Sequence, residues 1–269
     1  MKGKSMKYEF GFIGVGNMGG AIADAVCRTI PAKNVAVCDA DDKKTAAFAA
    51  KYGVAVLSLD EIAASCRFLV FGVKPQVLPA VMAAARSNLS ESTVAVSMAA
   101  GISIAAIEAG LDRRPVIRIM PNTPCAVGRG LILYHPNDLV KDDDVTAFLA
   151  GFAGAGTLSP IAEEKIDAAS AVSGCGPAFA YLFVEALADA GVECGLARAD
   201  AQKFAALMLE GSARMVLESG RHPGELKDAV CSPGGTTIVG VRALEEGGFR
   251  SAAMNAVRAA YLRTLELKK

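Results

Sequence analysis

The sequence predicts an α/β protein in two parts, a doubly wound domain over residues 1–160 and an all-α domain over 161–269. Three observations carry this. From Tyr8 to about Pro160, short apolar runs alternate with helix-like stretches. After Pro160 the strand-like runs stop. A glycine-rich turn, Gly14–Gly19, joins the first strand to the first helix. Apolar strands separated by helices specify a parallel sheet covered on both faces.

In chain order, strands are expected at 10–15 (FGFIGV), 34–39 (NVAVCD), 67–73 (RFLVFGV), 93–99 (TVAVSMA) and 115–121 (PVIRIMP). Each is a short run rich in Val, Ile, Phe or Ala and bounded by turn residues. The runs 130–136 and 156–161 extend the sheet at its edge, and helix-like stretches such as GGAIADAVCRTI and PQVLPAVMAAARS lie between strands. In the second part, Phe179, Leu182, Phe183, Ala186, Leu187 and Ala190 recur at helical spacing, which predicts a helix with one buried stripe. Pro177 suits its first turn and Gly191 its stop. Further helices are expected at 198–219, 223–230, 234–246 and 250–267. Such an Ala-rich domain has a thin core of its own, so a homo-oligomer that completes it is expected.

Composition narrows the partners. Lys+Arg 28 balances Asp+Glu 28, so no basic stripe points to nucleic acid and no acidic tail to a charge-driven partner. No uninterrupted apolar run reaches the ~18 residues of a membrane span. The start, MKGKSMKYEF, is basic but lacks the apolar stretch of a secretory signal, so a cytoplasmic location is expected. Met6 is an alternative start, with Met1–Ser5 then a disordered extension. Seven cysteines without a C-x-x-C pair suggest neither a disulfide framework nor a metal centre. The two histidines, His135 and His222, each precede a proline in a turn, which leaves Cys175 and Cys231 without an obvious base.

The glycine turn carries the first chemistry. Gly14-Val15-Gly16-Asn17-Met18-Gly19 follows a strand, opens a helix and has an acid about twenty residues beyond, at Asp39. That context makes it a Rossmann dinucleotide fingerprint. Gly14 permits the tight turn, Gly16 the approach of the pyrophosphate and Gly19 the helix–strand contact. Asp39 accepts ribose hydroxyls and repels a 2′-phosphate, which favours NADH slightly over NADPH; the plainer reading is that Asp39–Asp42 caps the second helix. Ligands of such sheets bind at the carboxyl ends of the strands. Val73, Lys74 and Pro75, Ala99 within Ser97–Gly101, and Asn122 within MPNTP are therefore further cofactor candidates, with Pro75 as a first helical residue.

CSPGGTTIVG (231–240) sets two glycines and two threonines before an apolar helix. A helix N-terminus attracts an anion through its free N–H groups and positive dipole end. The plainer reading is an N-cap by Ser232 or Thr236.

Taken together, GFIGVGNMG, FGVKPQ, VIRIMPNTP, AVSGCGPAFAY and HPGELKDAVCSPGGTTIVGVRALEEGGFR resemble the pyrroline-5-carboxylate reductase family over nearly the whole chain from Phe10. Cys175 and Cys231 stand where hydroxyl residues are common in that family. The resemblance implies NAD(P)H-dependent reduction of the cyclic imine L-1-pyrroline-5-carboxylate to L-proline, with no metal. It implies that Ser232, Gly234, Gly235, Thr236 and Thr237 hold the substrate, backbone N–H groups taking its carboxylate and the Thr237 hydroxyl facing the ring nitrogen as the catalytic contact. Ser173 and Gly174 are implied on the substrate's other side. It also implies a helical dimerisation domain, a dimer and its assembly into a decamer. A 3-hydroxyisobutyrate-type dehydrogenase shares the GFIGxGxMG start, but its catalytic lysine has no counterpart over Ser173–Ala180. A non-catalytic NAD-binding scaffold has no use for a second anion cradle at 232–237.

Overall fold

The computed structural model describes residues 6–267, so the expectation for Met1–Ser5 lies outside the described residues. Eight strands, β1 (Tyr8–Ile13), β2 (Val35–Cys38), β3 (Ala55–Val56), β4 (Cys66–Phe71), β5 (Val94–Ser97), β6 (Val116–Met120), β7 (Gly130–Pro136) and β8 (Gly156–Pro160), form one sheet. Its order is β3-β2-β1-β4-β5-β6-β7-β8. The first six pair in parallel, which is the doubly wound arrangement with its switch point between β1 and β4. The edge extension reverses direction: β7 runs antiparallel to β6, and β8 is parallel to β7. The two-residue β3 is absent from the predicted strands because a run so short shows no periodicity.

Helices α1 (Asn17–Cys27), α2 (Asp42–Tyr52), α3 (Leu59–Ser65), α4 (Leu78–Ala85), α5 (Ile104–Leu111), α6 (Asp142–Phe152) and α7 (Ile166–Ser173) accompany this sheet. Alternate strand residues serve opposite faces. Phe10, Phe12, Phe68 and Val70 pack with Ile22 and Val26 of α1 and with Phe148 and Phe152 of α6. Ile13, Leu69 and Phe71 pack with Ile62, Leu78 and Ile107 from α3, α4 and α5. Phe10 stacks on Phe68 with ring centroids 4.8 Å apart, on the face of the sheet that α1 and α6 cover. Pro75 is not a first helical residue: it lies in a turn, and α4 begins at Leu78 with Pro79 in its opening turn.

The chain forms two compact units. One runs to Gly174 and takes back the chain from Tyr261; the other is Cys175–Ala260. The first unit thus closes after Gly174 rather than after Pro160, because α7 packs on the sheet. Ile166 joins Met120 and Leu133 in a small apolar cluster, and Asp167 pairs with Arg118 of β6.

The second unit holds α8 (Gly176–Glu193), α9 (Arg198–Ser219), α10 (Pro223–Val230) and α11 (Thr236–Glu246), together with most of α12 (Phe249–Glu266). The 198–219 and 223–230 expectations coincide with α9 and α10. Gly191 does not stop α8, which continues to Glu193 and gives way at Gly195 with φ 96°. The predicted stripe on α8 is not buried within one chain either, and Leu182 is 67% exposed. Among the described residues of this unit, the buried apolar side chains are three alanines, Ala188, Ala201 and Ala205. Tyr181, Phe204, Leu207, Met215 and Leu217 all face outward. An apolar surface of this kind marks an interaction face. Within Glu163–Glu193 an 18-residue window of mean hydropathy 1.4 is long and apolar enough to cross a membrane. The break between α7 and α8 at Gly174–Cys175 interrupts it.

Candidate active site

The glycine turn is built by three backbones in contact. Gly14 sits at φ 93°, a conformation glycine adopts without strain, and a Cβ there would lie 2.9 Å from the Gly72 carbonyl oxygen. A Cβ on Gly19 would lie 2.1 Å from the Gly14 oxygen, and one on Gly72 would lie 2.5 Å from the same atom. The end of β1, the first turn of α1 and the end of β4 therefore approach more closely than any side chain permits. Gly72 was not singled out from sequence, since its contact with Gly14 crosses between strands. Gly16 differs: nothing lies within 4 Å of its Cβ position, and it is the N-cap of α1 without a side-chain cap. The first amides of α1 are thus open to an anion. Asn17 is exposed beside them, while Met18 packs onto the core.

Asp39 ends the turn after β2. Its Oδ2 accepts the Val15 N–H at 2.8 Å and its Oδ1 accepts the Asp41 N–H at 3.0 Å. Capping of α2 falls to Asp41, whose Oδ1 accepts the Lys43 N–H at 3.1 Å. Within this acidic run Asp41, not Asp39, caps α2, and Asp39 braces the glycine turn. Beside Asp39, Ile13, Cys38, Leu59, Val73, Val77 and Val81 line an apolar pocket of about 300 Å³, at the carboxyl ends of β1 and β2. Lys74 is exposed, and its carbonyl accepts the Val77 and Leu78 N–H groups. Ala99 is buried just beyond β5.

A second groove, lined by Gly16, Asn17, Lys44, Phe48 and Lys51, contains a cluster that sequence reasoning missed. Asp24 pairs with Arg28 and Lys51, each at 2.6 Å, and accepts a hydrogen bond from Tyr52. Partial burial works against the Asp24 carboxylate, but the hydrogen bonds from Lys51 and Tyr52 outweigh it and hold its pKa below the usual value. Only the Asp24–Arg28 spacing of four was visible in the sequence. Burial pushes the thiols of Cys66 and Cys27 up to about 12 and about 11, so both stay protonated at neutral pH.

Asn122, expected to be a cofactor residue, has both ends of its side chain engaged. Its Nδ2–H donates to the Ser173 carbonyl at 3.0 Å, and its Oδ1 accepts the Leu131 N–H at 2.9 Å. The Ser173 hydroxyl donates to the Ala169 carbonyl at 3.0 Å, and a Cβ on Gly174 would crowd the Ser170 oxygen at 2.9 Å.

In the second unit, the loop between α10 and α11 closes with the Gly235 N–H on the Ser232 carbonyl at 3.0 Å. Gly234 lies at φ 70°, and a Cβ on Gly235 would meet Ser232 Oγ at 2.3 Å. The two adjacent glycines therefore have causes within the loop itself. Neither Ser232 nor Thr236 caps the helix. Gly235 is the N-cap, no side-chain cap is present, and Thr236 and Thr237 open α11 with exposed side chains. Free amides and two hydroxyls thus face outward together at one helix start. His222 caps α10, its Nδ1 accepting the Gly224 N–H at 3.1 Å. Among the described residues, no three His, Cys, Asp or Glu side chains are grouped so as to hold a metal.

Comparison with known proteins gives this arrangement a setting. Residues 163–267 match the family profile described as pyrroline-5-carboxylate reductase dimerisation, and residues 9–101 match that of coenzyme F420-dependent NADP oxidoreductase. The chain is 41% identical to the pyrroline-5-carboxylate reductase of Escherichia coli strain K12, over 98% of this chain and 100% of the relative. It is 39% identical to that of Pisum sativum, over 98% and 97%. The crystal structure of Plasmodium falciparum pyrroline carboxylate reductase with NADP bound superposes with a TM-score of 0.88 at 33% identity, covering 98% of this chain and 100% of that one. The chain belongs to the pyrroline-5-carboxylate reductase family, oxidoreductases of proline biosynthesis that depend on a nicotinamide cofactor.

Proposed function

We propose that this chain reduces L-1-pyrroline-5-carboxylate to L-proline with the sites divided between its two units. The carrying observation is the pair of uncapped helix starts: α1 after Gly16 for the cofactor's pyrophosphate, and α11 after Gly235 for the substrate's carboxylate. Gly14, Gly16, Asn17, Met18 and Gly19 shape the first cradle, with Val73 and the apolar pocket beside Asp39 taking the adenosine end. Lys74, Pro75 and Ala99 border the same carboxyl edge of the sheet. When bound, the reduced nicotinamide supplies a hydride to the imine carbon.

The chain's own part in the chemistry is orientation. A cyclic imine is substantially protonated near neutral pH and already electrophilic, so positioning matters more than a strong general base. The amides of Gly235, Thr236 and Thr237 hold the carboxylate, with Ser232 and Gly234 shaping the loop. The Thr237 Oγ accepts the iminium N–H and fixes the ring nitrogen. A spectrophotometric assay of reduced-cofactor loss with pyrroline-5-carboxylate tests the reading, which falls if the purified chain shows no turnover.

Asp39 favours NADH over NADPH, since a carboxylate at the end of β2 repels a 2′-phosphate. Asp39→Ser is expected to raise the NADPH-to-NADH ratio of kcat/KM about tenfold, the ~1.4 kcal/mol scale of one partly screened charge repulsion. Loss of the bond to the Val15 N–H affects both cofactors alike and cancels in the ratio. An unchanged ratio would show that Asp39 only braces the glycine turn.

We read the exposed apolar faces of α8 and α9 as an interface between copies of this cytoplasmic chain rather than a membrane contact. A dimer follows from that reading, and its assembly into a decamer is what the family resemblance implies. Light scattering of the full chain is expected to give a dimer or larger, and a monomeric yet fully active protein would refute the shared core.

A further inference from the structure

Two polar side chains, one on β6 and one just beyond it, reach α7. Arg118, 2% exposed, gives Nη2 to Asp167 Oδ1 at 2.9 Å and Nη1 to Glu163 Oε1 at 3.1 Å. Glu163 Oε1 also accepts the Ile104 N–H at 2.7 Å, which ties the start of α5 to the same cluster. Asp167 lies in the first turn of α7. At the other end, Asn122 lies just beyond β6 and its Nδ2–H donates to the carbonyl of Ser173, the last residue of α7. Helix α7 is therefore held at both ends by β6 and the residues that follow it.

The terminal carbonyls of a helix have no partner within it, so Asn122 satisfies a group that otherwise needs water. Its amide also accepts the Leu131 N–H where β7 begins. A side-chain amide offers a donor and an acceptor on one short, rigid plane. Aspartate would turn a carboxylate oxygen toward the Ser173 carbonyl, and alanine would leave both groups unpaired. The Gly174 N–H continues the same turn by donating to the Ser170 carbonyl at 2.7 Å. With both ends of its side chain so engaged, Asn122 is ill suited to read a nicotinamide through that side chain.

We infer that Asn122 is a positioning residue for the substrate rather than a cofactor ligand: by holding the Ser173 carbonyl it fixes the end of α7 and the Ser173–Gly174 segment. This rests on the proposed reductase function and on the substrate role that the family resemblance implies for those two residues.

The test compares full-length wild type with Asn122→Asp and Asn122→Ala. Three readouts are taken: hydrogen exchange of peptides covering 166–174, NADH affinity by fluorescence titration, and kcat and KM for pyrroline-5-carboxylate. Asn122→Asp is expected to speed exchange at the end of α7 and to raise KM for pyrroline-5-carboxylate about tenfold, the scale of one lost hydrogen bond in a polar cluster. NADH affinity is expected to stay within about twofold, because the glycine turn is untouched. Asn122→Ala should change the same quantities in the same direction without introducing a charge. Weaker NADH binding with unchanged KM would overturn the inference and make Asn122 a cofactor ligand. Unchanged exchange over 166–174 would overturn it too, as would failure of both variants to fold, which makes the role one of stability. A wild type that binds NADH but does not turn over the imine would remove the substrate role instead, while the exchange data still decide whether Asn122 holds α7.

Discussion

Gly19→Ala is expected to abolish measurable NADH binding, whereas Gly16→Ala should weaken it about a hundredfold and leave the melting temperature unchanged. The difference lies in what each Cβ meets. At Gly19 it would stand 2.1 Å from the Gly14 carbonyl oxygen, so α1 must move away from β1 by roughly 1 Å. Overpacking of that kind costs about 1–3 kcal/mol of stability, and a 1 Å displacement of binding groups alone can cost about a hundredfold. Gly72→Ala should behave alike, since its Cβ would lie 2.5 Å from the same oxygen. At Gly16 there is no protein atom to strike, and the backbone is extended at φ −69°, ψ −162°, which alanine also adopts. The added methyl would enter only open space, at the helix start proposed to receive the pyrophosphate. Fluorescence titration with NADH and thermal melts of the three variants check this. If Gly16→Ala binds NADH as wild type does, the pyrophosphate approaches elsewhere.

What the sequence revealed was local, and what it hid was cross-chain. The fingerprint from Gly14 to Gly19 was legible because its residues act within one strand–turn–helix unit, and the bounds of α9 because Gly220 ends it in a left-handed turn at φ 64°. Gly72 escaped notice because the need for it arises from Gly14, which the fold brings to it from another strand. The Asp24 cluster depends on α1 meeting the end of α2, and the Asn122 clasp on β6 meeting α7. No spacing rule reaches such pairs. The burial of α8 failed for a different reason. Helical periodicity reports that a face is apolar, and it does not say whether this chain or another covers it. For the proposed substrate loop, sequence located the helix start but not the local needs of its glycines: Gly234 serves a left-handed turn and Gly235 clears Ser232. What the structure leaves at this loop is a helix start with no side-chain cap and two exposed threonines in its opening turn.

Thr237 is the sharpest test of the proposed substrate site. Thr237 sits in the opening turn of α11 with its side chain exposed, and no side chain takes the first amides of the helix. If its hydroxyl holds the iminium N–H while backbone amides hold the carboxylate, Thr237→Ala removes one hydrogen bond to a charged group. The expected loss is about 1.5–3 kcal/mol, roughly ten- to a hundredfold in kcat/KM, falling mainly on the chemical step. NADH affinity should hardly change, since the glycine turn belongs to the other unit. Thr236→Ala should do much less, as only its backbone takes part. Gly235→Val should act through binding: its Cβ must displace Ser232 Oγ, 2.3 Å away, and the rest of the side chain crowds the amides that receive the carboxylate. KM for pyrroline-5-carboxylate should therefore rise in Gly235→Val, and kcat should fall in Thr237→Ala. Steady-state kinetics of the three variants, with folding checked by circular dichroism, separate these roles. Near-wild-type activity in both Thr237→Ala and Gly235→Val would place the substrate somewhere other than the start of α11.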